Sequence, residues 1–386
     1  MFYIHQASCI SPQQTFSGTK IDLSREYESV DNRMKVLEPP YPGIPDNILR
    51  RMAKAVRTGV GTALPLIREA GDRPPEGIII GTANGGMEES VKFLKQIIEY
   101  KEDMLTPGNF VQSIPNAISS QISLLSKNKG YNTTHVHRGL AFENAVLDAA
   151  MMLKENQQSS YLVGGVDEIA TYHYNLENLA GSYKKEVISS RHLYESDSPG
   201  SIAGEGAAMF LVNNVKEHAL ARVRALVTLH SAEEKAVTGQ LQDFLEGQLA
   251  SGGEKTPGAS VAGAKPDLFL TGENGDNRVS PFYTACEAIL DKDIPVARYK
   301  HLSGEYPTAS AFALWLACQV VGGQLALPSH MLKRPPSPGS LPLSGETTPI
   351  PAASPIYKNI LLYNNYKGIQ HSFMLVSSVY FGQSPR

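Results

Sequence analysis

Cysteine is scarce in this sequence of 386 residues, which contains only Cys9, Cys286 and Cys318. The three cysteines lie far apart and lack the close spacing of zinc ligands, and a chain of this length does not need disulfides to fold. Such usage is typical of proteins kept in a reducing compartment. We therefore expect a cytoplasmic protein without a disulfide framework.

An excess of positive charge is also missing, because 35 Lys and Arg residues stand against 38 Asp and Glu residues. This balance provides no basic field to hold a nucleic acid or an anionic membrane. The amino-terminal residues lack the basic and apolar segments of a secretion signal, and no apolar run is long enough to span a bilayer. These absences predict a soluble chain whose partners include neither nucleic acid nor membrane.

Hydrophobic residues make up 42% of the sequence, and a chain of this size indicates two globular units of ordinary dimensions. Short apolar runs, typical of strands, alternate with longer amphipathic runs, typical of helices, and this alternation indicates an α/β fold. The series occurs twice along the chain. We therefore predict a first half at residues 1–217 and a second half at residues 218–386.

The same patterns predict the individual elements of both halves. The first half is predicted to contain strands at 1–8, 77–81, 131–134 and 161–166, and helices at 45–70, 88–100, 114–126 and 140–154. The second half is predicted to contain strands at 223–229, 268–271, 295–297, 360–364 and 372–377, and helices at 233–249, 282–290 and 306–321. Two segments rich in Pro, Ser and Gly, 250–264 and 329–356, are predicted to be surface loops.

Five short motifs follow one another along the chain, and each alone is weak because glycine strings arise readily in loops. They are Gly81-Thr82-Ala83-Asn84-Gly85-Gly86, the stretch Pro107 to Asn116, Thr134-His135-Val136-His137-Arg138-Gly139, Gly164-Gly165-Val166-Asp167-Glu168 and Gly204-Glu205-Gly206-Ala207-Ala208. Their order resembles that of the β-ketoacyl synthases of the thiolase-like superfamily. The resemblance implies a five-layered αβαβα fold of two duplicated halves and a dimer formed along the N-terminal half. It places at the partner interface the residues Asn109, Phe110, Ile114, Pro115, Asn116, Asn132, Thr133 and Thr134.

In that family a nucleophilic cysteine follows the pattern Thr-x-Cys-x-x-Gly at the start of a buried helix, where the helix dipole and backbone N–H groups lower its pKa. Thr134 and Gly139 keep this frame, but Val136 stands at the cysteine position. A valine side chain cannot hold an acyl thioester. The resemblance therefore implies a site that has lost its nucleophile.

The two histidines that the family uses in decarboxylative condensation are also replaced. Where the family has His-Gly-Thr, the loop that begins with Gly272 and Glu273 contains no histidine. The second motif keeps Lys300 and has Glu305 at the histidine position. An ionised carboxylate repels a forming enolate, so it opposes the function of an imidazole there. A Lys300–Glu305 ion pair in the former site is one arrangement left open. The degenerate catalytic positions are thus Val136, Gly272, Glu273, Lys300 and Glu305.

Near the carboxyl end, Tyr366 and Lys367 lie where the family has a loop that gates acyl access to the site. We predict that these two residues border the pocket together with His137, Arg138 and Gly139. His137 and Arg138 are expected to fill the vacated cavity or, alternatively, to face the partner subunit or the phosphopantetheine tunnel. A His-x-His pair without further ligands nearby makes a poor metal site, so we expect neither a metal nor a cofactor.

These features predict a catalytically silent synthase homologue that resembles chain-length factors. Such a subunit would pair with an active ketosynthase in fatty acid or polyketide biosynthesis of the aryl-polyene type, with acyl carrier protein as a further partner. Chain-length factors of aromatic polyketide systems carry glutamine at the cysteine position, so Val136 implies no decarboxylase role. Two alternatives stay open. One is an acyltransferase or condensing enzyme with an unconventional nucleophile such as Thr133 or Thr134, and the other is a homodimer that binds acyl chains or carrier protein.

Overall fold

The computed structural model describes residues 1–16, 21, 23, 27–101, 103–250, 265–336 and 357–379. The first half contains β1 (Phe2–Ile10), β2 (Arg33–Met34), α1 (Asp46–Leu49), α2 (Lys54–Glu69), β3 (Gly77–Gly81), α3 (Met87–Glu99), α4 (Pro107–Gln112), α5 (Ala117–Ser126), β4 (Tyr131–His135), α6 (Ala141–Glu155), β5 (Ser160–Asp167), α7 (Thr171–Leu179), β6 (Ala203–Gly204) and β7 (Gly206–Asn213). The second half contains β8 (Ala221–His230), α8 (Glu234–Ala250), β9 (Leu268–Thr271), α9 (Ser280–Ile289), β10 (Val296–Arg298), α10 (Lys300–Ser303), α11 (Ala309–Val321), β11 (Leu332–Arg334), β12 (Asn359–Tyr366) and β13 (Gln370–Ser377). Most of the two predicted loops, namely residues 251–264 and 337–356, lies outside the described residues.

The helix predicted at 45–70 is interrupted, and α1 and α2 replace it. At the break, the side-chain amide of Gln112 donates to the carbonyl of Arg51 at 2.7 Å and accepts from the N–H of Ala53 at 2.5 Å. A continuous helix would have paired these backbone groups internally. The prediction of a single helix is wrong because a distant side chain satisfies the backbone at this point.

Two further local predictions need correction. The segment predicted as a loop from residue 329 begins with a helical turn and with β11, which pairs antiparallel with β10 at the edge of the sheet. Prolines on either side of an edge strand are tolerated, and the buried side chain of Met331 anchors this segment in the core. The Gly-Glu-Gly-Ala motif lies largely in β7, a strand not predicted as such, and α7 was not predicted.

Eleven of the described strands form one sheet in the order β11-β10-β9-β12-β13-β8-β1-β7-β5-β3-β4. Counted along the chain, the five main strands of each half take the same spatial order, first, fifth, fourth, second, third, with the same pattern of parallel and antiparallel pairs. The halves join where Phe2–Ile4 of β1 pairs with β8. The predicted boundary at residues 217 and 218 falls between β7 and β8 and stays a prediction.

Helices cover the sheet on both faces and fill the space between the two halves. In β3, Ile78 and Ile80 pack with α2 and α5, whereas the intervening Ile79 faces the central layer formed by α6 and α11. Helices α8 and α9 cover the outer face of the second half. The thirteen residues of α11 are all buried, as expected for a helix that packs against strands of both halves of the sheet. This layering confirms the predicted five-layered α/β fold. Among the described residues, no helix has both the length and the apolar character needed to cross a membrane.

Candidate functional site

The turn that carries Val136 lies at the edge of the sheet, between β4 and the helical turn Arg138–Leu140 that leads into α6. Val136 is 53% exposed, and His137 and Arg138 are also exposed. His137 and Arg138 therefore do not fill an internal cavity, contrary to the first of the two expectations. They project from this turn because β4 has no neighbouring strand on its outer side in the described sheet.

The predicted gate lies against this turn. The N–H of Gly139 donates to Oε1 of Gln370 at 2.9 Å, and a Cβ atom on Gly139 would lie 2.2 Å from the Cβ of Tyr366. Lys367 and Gly368 form the tight turn between β12 and β13, each with a positive φ. Close approach to Tyr366 thus explains why the last position of the nucleophile frame holds glycine.

Lys300 and Glu305 form the ion pair that the sequence left open. The Lys300 side chain at the start of α10 has no exposed surface, and its Nζ lies 2.7 Å from Oε1 of Glu305. The second oxygen of this carboxylate accepts from Nδ2 of Asn274 at 2.8 Å. The backbone of Glu305 is fixed as well, because its N–H donates to Ile202 and its carbonyl accepts from Gly204. The position that the resemblance assigns to a histidine thus holds a carboxylate that is fixed by its ion pair and by backbone hydrogen bonds.

The loop after β9 contributes Asn274 to this cluster, not the predicted Gly272 and Glu273. Gly272 pairs through its backbone with Tyr363, and the Glu273 carboxylate turns away to Arg298 and to Lys333, at 3.4 and 2.8 Å. Sequence reasoning missed Asn274. The signal was present, because the family pattern His-Gly-Thr places its histidine directly before a glycine, and Asn274 precedes Gly275, which has a φ of 77°.

A cavity of about 530 Å³ opens beside this cluster. Its walls come from the end of β5 and α7, from residues 182–204, from the loop after β9 and from the turn between β12 and β13. Three of the predicted site residues border it, namely Glu305, Tyr366 and Lys367. Val136, Gly272 and Glu273 lie outside its wall. The structure therefore brings Glu305 together with the predicted gate residues Tyr366 and Lys367, but it does not bring Val136 to the same cavity.

Among the described residues, the imidazole of His173 borders the cavity, and no sequence motif predicts it there. His173 on α7 lies with Nε2 3.7 Å from Oε1 of Glu177, whose other oxygen accepts from Lys367 at 2.5 Å. Burial and the nearby carboxylates raise the pKa of Tyr183, Tyr306 and Tyr366 above their ordinary value, so these phenols stay protonated.

The three cysteines do not replace the missing nucleophile. Each is buried, and none borders the cavity in the part of the chain that the structure describes. Burial raises the pKa of the Cys9 and Cys286 thiols to about 12 and raises that of Cys318 as well. Because the thiolate is the reactive form, these groups are inert near neutral pH.

The residues predicted at a partner interface surround β4. Phe110 and Ile114 are 57% and 47% exposed, Asn109 and Pro115 are half-buried, and Asn116 is exposed. On β4, Asn132 donates to the Ser119 carbonyl, Thr134 bonds the Ser119 hydroxyl at 2.9 Å, and Thr133 is half-buried.

Further exposed apolar side chains lie on the elements from α3 to α6 and on the segments between them. We call this surface the β4 face, and its apolar members are Leu94, Ile98, Met104, Phe110, Val111, Ile114, Leu124, Tyr131, Val136 and Met151.

Residues 26–183 match the family described as Beta-ketoacyl synthase, N-terminal domain. Among curated proteins, none matches this sequence.

Solved structures match the chain over almost its whole length. The ishigamide ketosynthase/chain length factor matches with a TM-score of 0.71 at 13% identity, covering 99% of both chains. A β-ketoacyl synthase from Burkholderia phymatum STM815 matches with a TM-score of 0.70 at 13% identity, covering 98% of this chain and 99% of that one. A type II polyketide synthase structure, in which an acyl carrier protein is in complex with its ketosynthase bound to the hexaketide, gives 0.67 at 14% identity, with coverages of 98% and 99%. The chain therefore has the thiolase-like ketosynthase fold, and its residues 26–183 are similar to the N-terminal domain of the β-ketoacyl synthases.

Proposed function

We propose that this chain is a catalytically silent β-ketoacyl synthase homologue that acts, like a chain-length factor, as the partner of an active ketosynthase. Its pathway would be fatty acid or polyketide biosynthesis of the aryl-polyene type. The observation that carries the proposal is the buried Lys300–Glu305 pair at the former histidine position. Together with Val136, it means that the positions which the resemblance assigns to the cysteine and to the second histidine hold neither a thiol nor an imidazole.

The charge at this position explains why the site cannot condense acyl groups. Decarboxylative condensation develops negative charge on an oxygen, and a synthase stabilises that charge with hydrogen-bond donors. Here the side chains of Lys300 and Asn274 both donate to Glu305, which leaves a carboxylate facing the cavity. A malonyl group carries its own carboxylate and would be repelled by it.

The β4 face supports the partner role. It combines exposed apolar side chains with β4, an edge strand whose outer side pairs with no other strand among the described residues. Stable dimers that cannot function apart bury on the order of 2,000 Å² or more of such surface. The match to a ketosynthase/chain length factor structure is consistent with this arrangement.

Co-expression tests the partner role directly. The tagged chain is co-expressed with an untagged, active type II ketosynthase encoded beside it, and the captured material is analysed by light scattering after gel filtration. We expect a one-to-one complex that survives at sub-micromolar concentration. Two separate homodimers would contradict the proposal and would favour the homodimeric acyl-binding or carrier-protein-binding alternative.

Catalytic silence has a separate test. The purified chain is incubated with radiolabelled acyl carrier protein, and protein-bound label is measured after denaturation. We expect no covalent adduct, whereas the active partner becomes labelled in the same assay. A stable adduct on this chain would support an acyltransferase or condensing enzyme with an unconventional nucleophile.

A further inference from the structure

The cavity beside Glu305 has the size and the lining of a small-molecule site. Its volume of about 530 Å³ lies within the range of ligand pockets, which is roughly 300–1,000 Å³. Aromatic side chains supply much of its apolar wall, namely Tyr174, Tyr183, Phe282, Tyr306 and Tyr366. A ligand with an aromatic or aliphatic body would therefore bury apolar surface here.

The cations around this cavity are already paired. Lys367 lies 2.5 Å from Glu177, and Arg278 holds Asp276 at 2.6 Å. Lys300, beneath the wall, is paired with Glu305. Among the described residues, each of these cations is thus already bound to a carboxylate of the cavity wall. An anionic ligand would have to displace one of these carboxylates to gain a counter-charge, so its binding would be disfavoured.

The carboxylates, in contrast, keep free capacity to accept hydrogen bonds. An ionised carboxylate offers about four acceptor sites, and Glu305 receives one bond from Lys300 and one from Asn274. Glu168 also borders the cavity, and its Oε1 accepts no hydrogen bond from the described residues, although the residue is only 6% exposed. The polar part of the wall is thus rich in acceptors.

We propose that this cavity binds an organic amine, with the protonated amino group against the Glu305 carboxylate and the body of the ligand among the tyrosine rings. Aromatic rings attract a cation through the negative charge on their faces, so they add to the attraction of the carboxylate. The inference goes beyond the partner role, because the isolated chain contains the whole site. It therefore stands or fails independently of complex formation.

Three probes of similar shape and different charge test the proposal on the full-length chain at pH 7.5. They are 2-phenylethylamine, 2-phenylethanol and 3-phenylpropionate, and binding is followed by saturation-transfer NMR and by calorimetry. We expect the amine to bind in the millimolar range, about tenfold tighter than the alcohol, since a charge-assisted hydrogen bond and cation–π contacts are added. The propionate should not bind. Equal or tighter binding of the propionate, or no binding of the amine, would overturn the proposal.

A charge-free variant locates the site. Lys300→Met/Glu305→Gln removes both members of the buried pair, so neither is left as an uncompensated charge. This variant should bind the amine no better than the alcohol. The matched control is Glu287→Gln, which removes a carboxylate paired with Lys333 outside the cavity and should keep the preference for the amine. Retained preference in the double variant would place amine binding elsewhere and refute the assignment.

A second variant keeps the charges and changes the aromatic wall. Tyr366→Leu removes one ring near Glu305, and it should weaken binding of the amine several-fold more than binding of the alcohol. An equal loss for both probes would show that the ring contributes only apolar contact, and it would contradict the proposed placement of the amino group.

Discussion

A lysine ammonium that is fully buried needs a carboxylate beside it as a counter-charge. Glu305 is that counter-charge for Lys300. Lys300 has no exposed side-chain surface, whereas 13% of the Glu305 side chain is exposed. We predict that Glu305→Gln lowers the free energy of unfolding by about 3 kcal/mol, because it leaves the ammonium without a counter-charge. Chemical denaturation followed by circular dichroism measures this loss.

A double variant shows whether the loss of stability comes from the unpaired charge or from the altered packing of the side chains. Lys300→Met/Glu305→Gln should recover most of the loss, since a neutral chain of similar volume then occupies the buried space. Glu287→Gln, at a partly exposed pair with Lys333, should cost less than about 1 kcal/mol. If the single and double variants were equally unstable, mutual compensation of charge would not be the reason for keeping this pair.

Restoring the nucleophile alone should not restore chemistry. Val136→Cys supplies a thiol at the turn before α6, but Asn274 and Glu305 still occupy the positions that the resemblance assigns to the family's imidazoles. We expect no condensation product from acyl and malonyl carrier proteins by mass spectrometry, and a level equal to that of Val136→Ala. Full activity of Val136→Cys would mean that the correspondence of this site with the synthases is mistaken.

Sequence reasoning identified some of the side chains that meet at the cavity, but not all of them. Spacing identified Lys300 and Glu305, which lie in one short segment around α10. It chose Glu273 over Asn274, because consecutive residues after a strand point to opposite sides and spacing alone does not say which side faces the cavity. The position of His173 in the cavity wall was not predictable from the sequence, because it depends on how α7 packs over the cavity.

At the scale of elements, the start of α6 is fitted closely to the turn between β12 and β13. Gly139→Ala would bring a methyl group to 2.2 Å from the Cβ of Tyr366, so either the turn or the ring must shift. We predict a loss of about 2 kcal/mol in the free energy of unfolding. Gly239→Ala in α8 is the matched control, since nothing lies within 4 Å of its added Cβ. That change should stabilise the protein by about 0.5–1 kcal/mol. If Gly139→Ala left the free energy of unfolding unchanged, the turn or the Tyr366 ring would be able to shift at little cost.

The junction of β5 with α2 should make stability depend on pH. Glu168 accepts from the N–H of Ala55, but burial, together with repulsion from Glu89 and Glu205, raises the pKa of this carboxyl to about 7. The folded state thus holds its proton more tightly than the unfolded state, whose carboxyl has a pKa near 4.5. Stability contributed by this group is present below pH 4.5 and declines as the pH rises towards 7.

Glu168→Gln tests this sign. The neutral amide keeps an acceptor for Ala55 and cannot ionise, so the variant should gain stability relative to the natural chain as the pH is raised from about 5 to about 8. Urea denaturation at several pH values gives the difference, which we expect to reach a few kcal/mol. A difference that is constant with pH would contradict a raised pKa at this position.

The elements with strong apolar patterns were predictable, and the exceptions have tertiary causes. Strands β3 and β9 begin and end at the predicted residues, because each is a compact buried run. The break between α1 and α2 depends on Gln112, which lies more than fifty residues away. A local pattern of apolar residues cannot predict a contact between residues so far apart in the sequence.

In the whole molecule, the two halves repeat the same strand order but differ at their outer edges. Each half has a third strand at the outer end of its group, β4 in the first half and β10 in the second. In the second half, β11 covers that position, whereas β4 has no strand beyond it among the described residues. An uncovered edge invites pairing with another chain. The first half therefore offers the uncovered edge on which the proposed partner would dock.

Substitutions on the β4 face should abolish the complex without unfolding the chain. Phe110→Glu and Ile114→Glu place charges on exposed positions of α4 and of the segment before α5, so the isolated chain should keep its melting temperature. In the complex each carboxylate would be buried unpaired, and we expect at least a hundredfold weaker association. Binding is measured by interferometry against the immobilised ketosynthase. Val215→Glu, at a 49% exposed position between β7 and β8, serves as the control and should bind normally. Unchanged affinity of both test variants would show that the partner docks on another surface.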